Sequence, residues 1–538
     1  MINTFFRPMR IVLVSIYPGD TIAGYLLSSY VLKAYLAHAL KDLALEIEVV
    51  NFSVDTDTSA ICDELRKRQA DCIGFSCYVW NIAKIRQVTE RLKVQSPVVH
   101  VFGGPEISLQ AVKPSSDGQR SDFYVIGEGE RPLANLIRHL AAPAKDSELP
   151  KGVAAHLGGI VHYRENDERI QNLEEIPSVY LSGSLDEKLY AGKQAFLETQ
   201  RGCIFKCKYC VYHKHLSKVA YYPLSRVFDE LEHLIIKKRV FALRIFDAVF
   251  TSDLDRAKQI VDHIIKLKSG RHTLLSWIYW EFNYWDVDEE FLALVSELKI
   301  RPVILNSSEV RALNRPQHYS EMLKGYTVIN CLGVQSFCRE ALKAMGRASF
   351  GFESLRNFME MVRRHNVVLK IDLILGLPFE TFESYFAGLE AFLPFFKDTD
   401  HVLNIHRLQI LPNSDLAAQC EKYQIEHSSH APYVVFATNG FSRDRLEHAA
   451  RLTAVLFRIV NSPLRKQFFE AVEKRNVGCI ALVERIYDEI KAAPDLAQAG
   501  LFKDEAIYDT YWNGAIFKDI PSERLLDILR RPLGLGLW

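Results

Sequence analysis

The sequence predicts an α/β protein with three parts: an N-terminal doubly wound, Rossmann-like domain, a partial (β/α)6 barrel and a C-terminal helical domain. Two successive alternations of β-rich runs with helix-period segments predict the first two parts. A tail that is helical by period from about Ser442 to Leu533 predicts the third. Strands that alternate with helices form parallel sheets, because each crossover helix returns the chain to the same edge.

The first alternation occupies residues 1–145. Short apolar, β-branched runs mark its strands, and amphipathic segments separate them. We therefore expect a ligand crevice at the carboxyl ends of the strands, where the glycine-bearing loops lie. The predicted strands are Arg10–Ser15, Ile47–Phe52, Asp71–Cys77, Val98–Gly103 and Tyr124–Gly127, and the predicted helices are Gly24–Leu43, Thr58–Gln69, Asn81–Gln95 and Glu130–Leu140.

The second alternation occupies residues 195–430 and follows a connector at 146–194. Its six β/α units fit an open, partial barrel. The C-terminal helical domain is expected at residues 431–538, where the sequence is helical by period from about Ser442 to Leu533 and carries no catalytic motif. The predicted barrel strands are Ala195–Gln200, Ala242–Phe246, Leu275–Phe282, Val328–Gln335, Val367–Leu375 and Val402–Leu411.

Composition gives no support to several classes of function. Sixty-six Lys and Arg residues balance 66 Asp and Glu residues, so net charge offers no argument for nucleic acid or an anionic membrane. No apolar run approaches the roughly 20 residues that a bilayer requires. We expect a cytoplasmic protein with no nucleic-acid or membrane partner. Its ten cysteines are then thiols or metal ligands rather than disulfides.

Three of these cysteines form a motif. Cys203, Cys207 and Cys210 lie at spacings of four and three in a loop that begins at Gly202, between a predicted strand and a predicted helix. A structural [4Fe–4S] cluster or zinc site uses four ligands, so three thiolates leave one iron open. The alternative is a structural zinc site completed by His213 and His215.

The loop resembles the radical S-adenosylmethionine (SAM) superfamily signature C-x-x-x-C-x-Φ-C, with Tyr209 at the aromatic position. The resemblance implies that SAM binds the open iron of a [4Fe–4S] cluster and is cleaved by an electron from it. It also implies an external electron donor of the flavodoxin or ferredoxin type.

Three sequence motifs that follow the cysteine motif resemble those of one branch of the superfamily. This branch includes oxygen-independent coproporphyrinogen oxidases and cobalamin-binding radical SAM enzymes. The three motifs are Gly333–Ser336, Ala344–Arg347 and Asp372–Glu380. One departure is Phe246–Asp253, which lacks the usual glycine run, and another is a long polar insertion at 300–326. Two residues of the SAM-binding set implied by this resemblance have an alternative interpretation. Glu281 would end a strand and face solvent, and Asp372 would form a structural ion pair. The SAM-binding set that this resemblance implies is Tyr209, Asp247, Glu281, Gln335, Ser336, Arg347 and Asp372.

The N-terminal domain resembles that of cobalamin-binding radical SAM enzymes in three phrases, Gly74–Asn81, Phe102–Glu106 and Val125–Glu130. The loop Tyr17–Gly24 contains no histidine, so no histidine from it would bind cobalt. The alternative is a domain without a corrin, in which Tyr78 and Trp80 are core aromatics. The cobalamin-binding set that this resemblance implies is Tyr17, Pro18, Ser76, Tyr78, Trp80, Gly103, Gly104, Glu106, Gly127 and Glu128.

These resemblances imply a radical SAM enzyme that modifies a small, natural-product-like molecule, with cobalamin-dependent methyl transfer as the leading reaction. A second enzyme hypothesis omits methylation: rearrangement, ring contraction, or transfer of the 3-amino-3-carboxypropyl group of SAM to a nucleophile such as arsenite. The lack of a glycine run near Asp247 and the extra thiols Cys331 and Cys338 leave this open. A sensor module that holds a cluster and a corrin is the non-enzyme alternative.

Overall fold

A computed structural model gives the fold. It describes residues 7–18, 23–93, 98–109, 112, 122–141, 148–157, 160–167, 169–212, 218–269, 273–298, 328–348, 351–461 and 464–492. The predicted polar insertion at 300–326, the alternative zinc ligands His213 and His215, and residues 19–22 of the loop after the first strand lie outside these ranges.

Among the described residues, the N-terminal sheet has seven strands in the order β2-β1-β3-β4-β5-β6-β7. The first five strands are parallel, and the last two add antiparallel. The sheet thus continues past the predicted boundary at residue 145 into the predicted connector. The strands are β1 (Met9–Tyr17), β2 (Leu45–Ser53), β3 (Cys72–Ser76), β4 (Val99–Gly103), β5 (Phe123–Val125), β6 (Val153–Leu157) and β7 (Ile160–Tyr163).

Helices cover both faces of this sheet, as the sequence predicts. Helices α1 (Leu27–Ala39) and α4 (Glu130–Ala141) bury their apolar stripes in one hydrophobic cluster. Helices α2 (Thr58–Lys67) and α3 (Ile82–Lys93) bury theirs in a second cluster on the opposite face. Strand order reverses between β1 and β3, and this switch point is where ligands of doubly wound sheets bind.

The second sheet is a partial barrel of six parallel strands in sequential order. Two short antiparallel pairs lie beside it, β9 (Gln200–Arg201) with β10 (Ala220–Tyr221), and β16 (Glu426–His427) with β17 (Val435–Ala437). The barrel strands are β8 (Gln194–Leu197), β11 (Ala242–Ile245), β12 (Trp277–Phe282), β13 (Val328–Gln335), β14 (Leu369–Leu375) and β15 (Val402–Arg407).

Helices pack against the outer face of the barrel. The strand residues on that face are apolar and buried, for example Trp280, Leu332, Ile371 and Ile405. The helices are α5 (Leu224–Glu232), α6 (Leu254–Lys268), α7 (Glu289–Glu297), α8 (Arg339–Ala344), α9 (Gly351–Arg364) and α10 (Phe382–Phe392). A short π-helix at His233–Lys237 extends α5, and 3₁₀ turns occur at Leu173–Glu175, Glu187–Leu189, Phe250–Ser252, Leu393–Phe396 and Ala417–Gln419.

The C-terminal part is helical as far as residue 492. It consists of α11 (Arg443–Val460), α12 (Arg465–Arg475) and α13 (Cys479–Ala492). Helix α11 buries Leu446, which packs beside Gly376 at the end of β14. The predicted fold class is confirmed. Within the described ranges, no helix has the length and hydropathy needed to cross a membrane.

Candidate active site

The loop Gly202–Cys210, called the cluster loop below, follows β9. It begins at a glycine with φ of +99°, a conformation that favours glycine. Cys203 Sγ accepts a hydrogen bond from the Phe205 amide at 3.4 Å, and Cys210 Sγ accepts one from the Tyr212 amide at 3.3 Å. These two thiols are partly exposed, and Cys207 is buried. Backbone donors therefore already face two of the three sulfurs.

The cluster loop is held by two other segments. The Lys208 amide donates to Met345 O at 2.9 Å, and the Leu416 amide donates to Lys208 O at 2.9 Å. A β-carbon at Gly346 would lie 3.1 Å from Lys206 O, so the turn before Arg347 packs closely on the loop. The sequence phrase Ala344–Arg347 thus positions the cysteines.

No three His, Cys, Asp or Glu side chains in the described ranges converge as ligands of a single metal ion. A [4Fe–4S] cluster makes a different demand, because each thiolate binds its own iron and the sulfurs stand further apart. Three cysteines on one loop, with backbone donors facing two of the sulfurs, fit that demand.

Arg347 lies beside the cluster loop. Its Nη1 donates to Cys207 Sγ at 3.6 Å, and its Nη2 donates to Gly333 O and lies 3.5 Å from Asn283 Oδ1. The rings of Phe205 and Trp285 flank the guanidinium at 5.5 and 5.9 Å. The structure places Arg347 between a cluster cysteine and β13. Its predicted contact with the SAM carboxylate stays a prediction.

Gln335 has a left-handed backbone, with φ of +70°, and follows a register shift between β13 and β14. Such strain in a non-glycine residue persists only where surrounding structure enforces it, and it concentrates at functional sites. Its neighbour Ser336 is buried, accepts from the Cys338 amide at 2.9 Å and donates to Glu380. The Ser336 hydroxyl therefore already has partners within the chain.

Glu281 lines the hollow of the barrel. Its side chain is exposed, yet desolvation by the surrounding protein raises its pKa. Exposure combined with desolvation indicates a carboxylate that faces an enclosed space rather than bulk solvent. The Tyr279 hydroxyl donates to its Oε1 at 3.2 Å.

Asp372 is the centre of a polar cluster on the inner face of β13, β14 and β15. Its Oδ2 accepts from the Cys331 thiol at 2.9 Å, its Oδ1 accepts from Asn404 at 2.7 Å, and Lys370 Nζ lies 3.1 Å from Oδ1. Desolvation acts to raise the pKa of Asp372, but the charge of Lys370 and these hydrogen bonds outweigh it and lower the pKa. The carboxylate is therefore ionised.

The polar cluster extends to His406. Asn404 Nδ2 lies 2.6 Å from His406 Nε2, and burial lowers the pKa of His406, so the neutral ring accepts this hydrogen bond. Sequence reasoning missed Lys370, Asn404 and His406. The signal was present, since two polar residues stand two positions apart in each of two predicted strands, Lys370 and Asp372 in one and Asn404 and His406 in the other, the period of a strand face.

Asp247 has a different environment. It is buried, and its oxygens accept from the Thr199 amide at 2.7 Å, the Thr199 hydroxyl at 2.5 Å and the Gln200 amide at 3.2 Å. Burial raises its pKa to about 7. Asp247 thus holds the chain that leads into the cluster loop, and its predicted contact with SAM stays a prediction.

The β1/β3 switch point carries the first of the predicted corrin loops. Tyr78 stacks on Trp80 with ring centroids 4.4 Å apart, and its hydroxyl donates to Ser28 Oγ at 2.9 Å. Ser76 Oγ lies 3.2 Å from Ser29 Oγ on α1. Tyr17 and Pro18 are part-buried at the end of β1. The loop is thus ordered by its own contacts.

The predicted corrin glycines have different surroundings. A β-carbon at Gly104, where φ is +113°, would lie 2.6 Å from Cys77 O, so packing between two loops requires this glycine. Gly103 lies against Val125. Gly127, where φ is +86°, faces open space, with nothing within 4 Å of a β-carbon. Room for a ligand therefore lies at Gly127.

Glu128 follows that open position. Both of its carboxylate oxygens are buried and accept no hydrogen bond in the described structure, although Oε1 lies 3.5 Å from Arg201 Nη1, and burial raises the pKa of Glu128 to about 7. A corrin carries peripheral amides that could donate to such a group. The space at Gly127 and the carboxyl of Glu128, whose oxygens accept no hydrogen bond, fit a large polar cofactor at this edge of the sheet.

The two sheets meet near these loops. Tyr433 donates to Glu106 Oε2 at 2.8 Å, and Asn413 Nδ2 donates to Pro105 O at 2.7 Å and to Ile107 O at 2.8 Å. Glu106, a predicted corrin residue, therefore contacts the segment that follows the barrel. Its predicted role stays a prediction, and sequence reasoning missed Asn413 and Tyr433.

Two family models match the chain. The model of the B12 binding domain matches residues 30–137, and the model of the radical SAM superfamily matches residues 197–387. The chain is a radical SAM protein with a B12-binding domain. The resemblance inferred from the sequence motifs is thereby confirmed. The two domains together imply a [4Fe–4S] cluster, SAM and cobalamin, the predicted cofactors.

Two curated proteins are similar in sequence. The cobalamin-dependent radical SAM methyltransferase TokK of Streptomyces tokunonensis is 24% identical over 473 residues, 82% of this chain and 65% of TokK. The 2-(S-pantetheinyl)-carbapenam-3-carboxylate methyltransferase of Streptantibioticus cattleyicolor is 24% identical over 461 residues, 80% of this chain and 63% of that protein. The matched region thus spans less than two thirds of either relative.

Two solved structures share the fold of this radical SAM protein. The radical SAM methyltransferase TsrM of Kitasatospora setae, with tryptophan and a SAM analogue bound, has a TM-score of 0.59 and 15% identity, covering 84% of this chain and 89% of TsrM. The cobalamin-dependent S-adenosylmethionine radical enzyme OxsB, with aqua-cobalamin and SAM bound, has a TM-score of 0.60 and 14% identity. The match covers 98% of this chain and 79% of OxsB. At this identity the likeness supports the shared fold alone.

Proposed function

We propose that the chain is a cobalamin-dependent radical SAM methyltransferase that acts on a small-molecule substrate. The observation that carries the proposal is a direct ionic contact between the two cofactor-binding segments. Arg201, which immediately precedes the cluster loop, lies 2.7 Å from Glu130 in the predicted corrin-binding segment Val125–Glu130, called the corrin loop below. A transfer that needs both cofactors requires the two sites to lie side by side. The methyltransferase activity of both curated relatives supports the same reaction.

The proposal assigns roles to the residues of the chain. Cys203, Cys207 and Cys210 would hold the cluster, and its open iron would hold SAM. Arg347 and Gln335 would orient SAM through its carboxylate and polar atoms, because a guanidinium and an amide supply matching donors. When bound, SAM and the cluster supply radical chemistry, and the corrin supplies a methyl carrier.

The barrel hollow would hold the reacting part of the substrate. Its inner wall carries a desolvated carboxylate at Glu281 and the ionised Asp372, paired with Lys370. Polar groups fixed by hydrogen bonds orient a ligand without reorganising during the reaction. The proposal also includes an external flavodoxin- or ferredoxin-type electron donor and a cytoplasmic location, where thiols and the cluster stay reduced.

Methyl-labelled SAM tests this proposal without knowledge of the substrate. Reconstitute the chain anaerobically with iron, sulfide and hydroxocobalamin, add a reductant and trideuteromethyl-SAM, and analyse cobalamin and every SAM product by mass spectrometry. We expect the label on cobalamin together with S-adenosylhomocysteine, and 5′-deoxyadenosine as the product of reductive cleavage.

Two results would contradict the proposal. Methylthioadenosine as the main product would indicate 3-amino-3-carboxypropyl transfer instead. SAM cleavage without label on cobalamin would favour a rearrangement. Cys203→Ala is the matched control, because loss of the cluster should abolish 5′-deoxyadenosine while leaving the corrin loop unchanged.

A further inference from the structure

Arg201 joins the two cofactor-binding domains at a buried point. It lies two residues before Cys203, and its side chain is 8% exposed. Nη1 lies 2.7 Å from Glu130 Oε1 and 3.5 Å from Glu128 Oε1, and Nε donates to Glu198 Oε2 at 3.0 Å. Glu128 and Glu130 belong to the B12-binding domain, and Glu198 belongs to the radical SAM domain.

Burying these charged groups between two domains costs desolvation free energy. Three carboxylates face one guanidinium, and an apolar contact of similar volume is often at least as stable as a buried ion pair. A charged contact differs from an apolar one in its directionality, because a guanidinium keeps its partners at fixed distances and angles. Displacement of the corrin loop is therefore transmitted to the cluster loop.

The surroundings of Arg201 extend this connection on both sides. Tyr222 donates to Glu198 Oε2 at 3.1 Å, which fixes the carboxylate that Arg201 binds within the barrel. On the other side, Glu130 is the first residue of α4, and Glu128 adjoins the open space at Gly127. One rigid group thus touches the entry to the cluster loop and the edge of the corrin site.

We propose that Arg201 is a positioning residue that couples the two cofactor sites, so that the bound cluster tightens corrin binding and the bound corrin stabilises the cluster. The inference rests on the proposed function in requiring that this chain binds both groups. Coupling of binding free energies is reciprocal, so each cofactor must change the affinity for the other by the same factor.

The experiment uses the full chain and hydroxocobalamin. Titrate hydroxocobalamin anaerobically into protein with a reconstituted cluster and into protein stripped of iron by a chelator, and follow the visible spectrum. For the wild type we expect about tenfold tighter binding when the cluster is present, within the usual range of coupling. In Arg201→Met the ratio of the two dissociation constants should fall to about one.

Arg256→Met is the matched control. Arg256 is also buried and donates to Thr199 O and Tyr222 O near the same strand end, and both of these hydrogen-bond partners lie in the radical SAM domain. A purely structural effect would lower the melting temperature of both variants and alter the ratio in both or in neither. The inference predicts that the ratio of the two hydroxocobalamin dissociation constants falls to about one in Arg201→Met and stays at the wild-type value in Arg256→Met.

A milder variant covers the case in which Arg201→Met does not fold. Glu130→Gln keeps the shape of the side chain and removes its charge, and it should reduce the ratio. An unchanged ratio in Glu130→Gln would overturn the inference, as would a wild-type ratio of one. Failure of the wild type to bind hydroxocobalamin in either state would overturn both the inference and the corrin part of the proposed function.

Discussion

The side-chain amide of Gln335 occupies the space beside Gly333 where any other residue would place its β-carbon. That β-carbon would lie 2.3 Å from Gln335 Nε2 and 3.2 Å from Arg347 Nη2. Glycine at position 333 therefore allows an amide and a guanidinium to converge above β13. The left-handed backbone of Gln335 is the strained counterpart of this arrangement.

Gly333→Ala should weaken SAM binding by about 1–3 kcal/mol, the scale of a lost hydrogen bond to a charged group, because both side chains must move. Gln335→Ala should have a similar effect. Measure SAM affinity by equilibrium dialysis on protein with a reconstituted cluster. Gly183→Ala is the control, since Gly183 also has positive φ but no atom lies near its β-carbon position. Unchanged affinity in both site variants would refute the predicted SAM contact of Gln335.

Removal of any cluster cysteine should abolish iron binding without unfolding the chain. Cys203→Ala, Cys207→Ala and Cys210→Ala each remove one of three thiolates, and the loop retains its backbone anchors at Lys208. Measure iron and sulfide after anaerobic reconstitution, with circular dichroism as the check on folding. About four irons are expected in the wild type and in Cys62→Ala, whose thiol is buried in the N-terminal domain. Stoichiometric zinc in place of iron would contradict the prediction.

Lys370→Met should destabilise the chain by about 3 kcal/mol, because it leaves the largely buried carboxylate of Asp372, whose side chain is 15% exposed, without its cation. Lys370→Arg should recover part of the loss. Determine the free energy of unfolding from urea titrations. Lys258→Met is the matched control: Lys258 pairs with the exposed carboxylates of Asp288 and Glu290, and such pairs contribute about 1 kcal/mol or less. Equal losses in Lys370→Met and the control would contradict the prediction.

Glu380 should make stability fall as pH rises. Burial raises its pKa to about 8, above the value of about 4.3 expected in the unfolded chain. The folded state then binds this proton more tightly, so the contribution is full below about pH 4 and is lost as pH rises through 8.

Glu380→Gln removes this titration while keeping an acceptor for the Ser336 hydroxyl. The wild type should lose stability relative to the variant between about pH 4 and 8, with a slope of up to about 1.4 kcal/mol per pH unit. Compare the two melting curves across this range. A difference that stays constant with pH would show that Glu380 is ionised in the folded state.

The cluster motif could be predicted from the sequence because its geometry is local. Cys203, Cys207 and Cys210 lie within one short loop, so their spacing alone brings them together. Most strands and helices could also be predicted, since their hydrophobic periodicity is a property of consecutive residues. A crevice at the carboxyl ends of the N-terminal strands was also predicted, because alternating strands and helices form a doubly wound sheet. Its position between β1 and β3 came from the strand order in the structure.

Contacts between distant segments could not be predicted in this way. The chain contains 66 Asp and Glu residues, and nothing local distinguishes Glu130 as the partner of Arg201 or Asp372 as the partner of Lys370 and Asn404. Only the tertiary structure showed that Asp247 binds Thr199, in the segment that leads into the cluster loop. It also showed that Gly104 packs against the backbone of Cys77 and does not border open space. The physical reason is that such contacts depend on strand register and domain docking, which bring together groups that no short spacing relates.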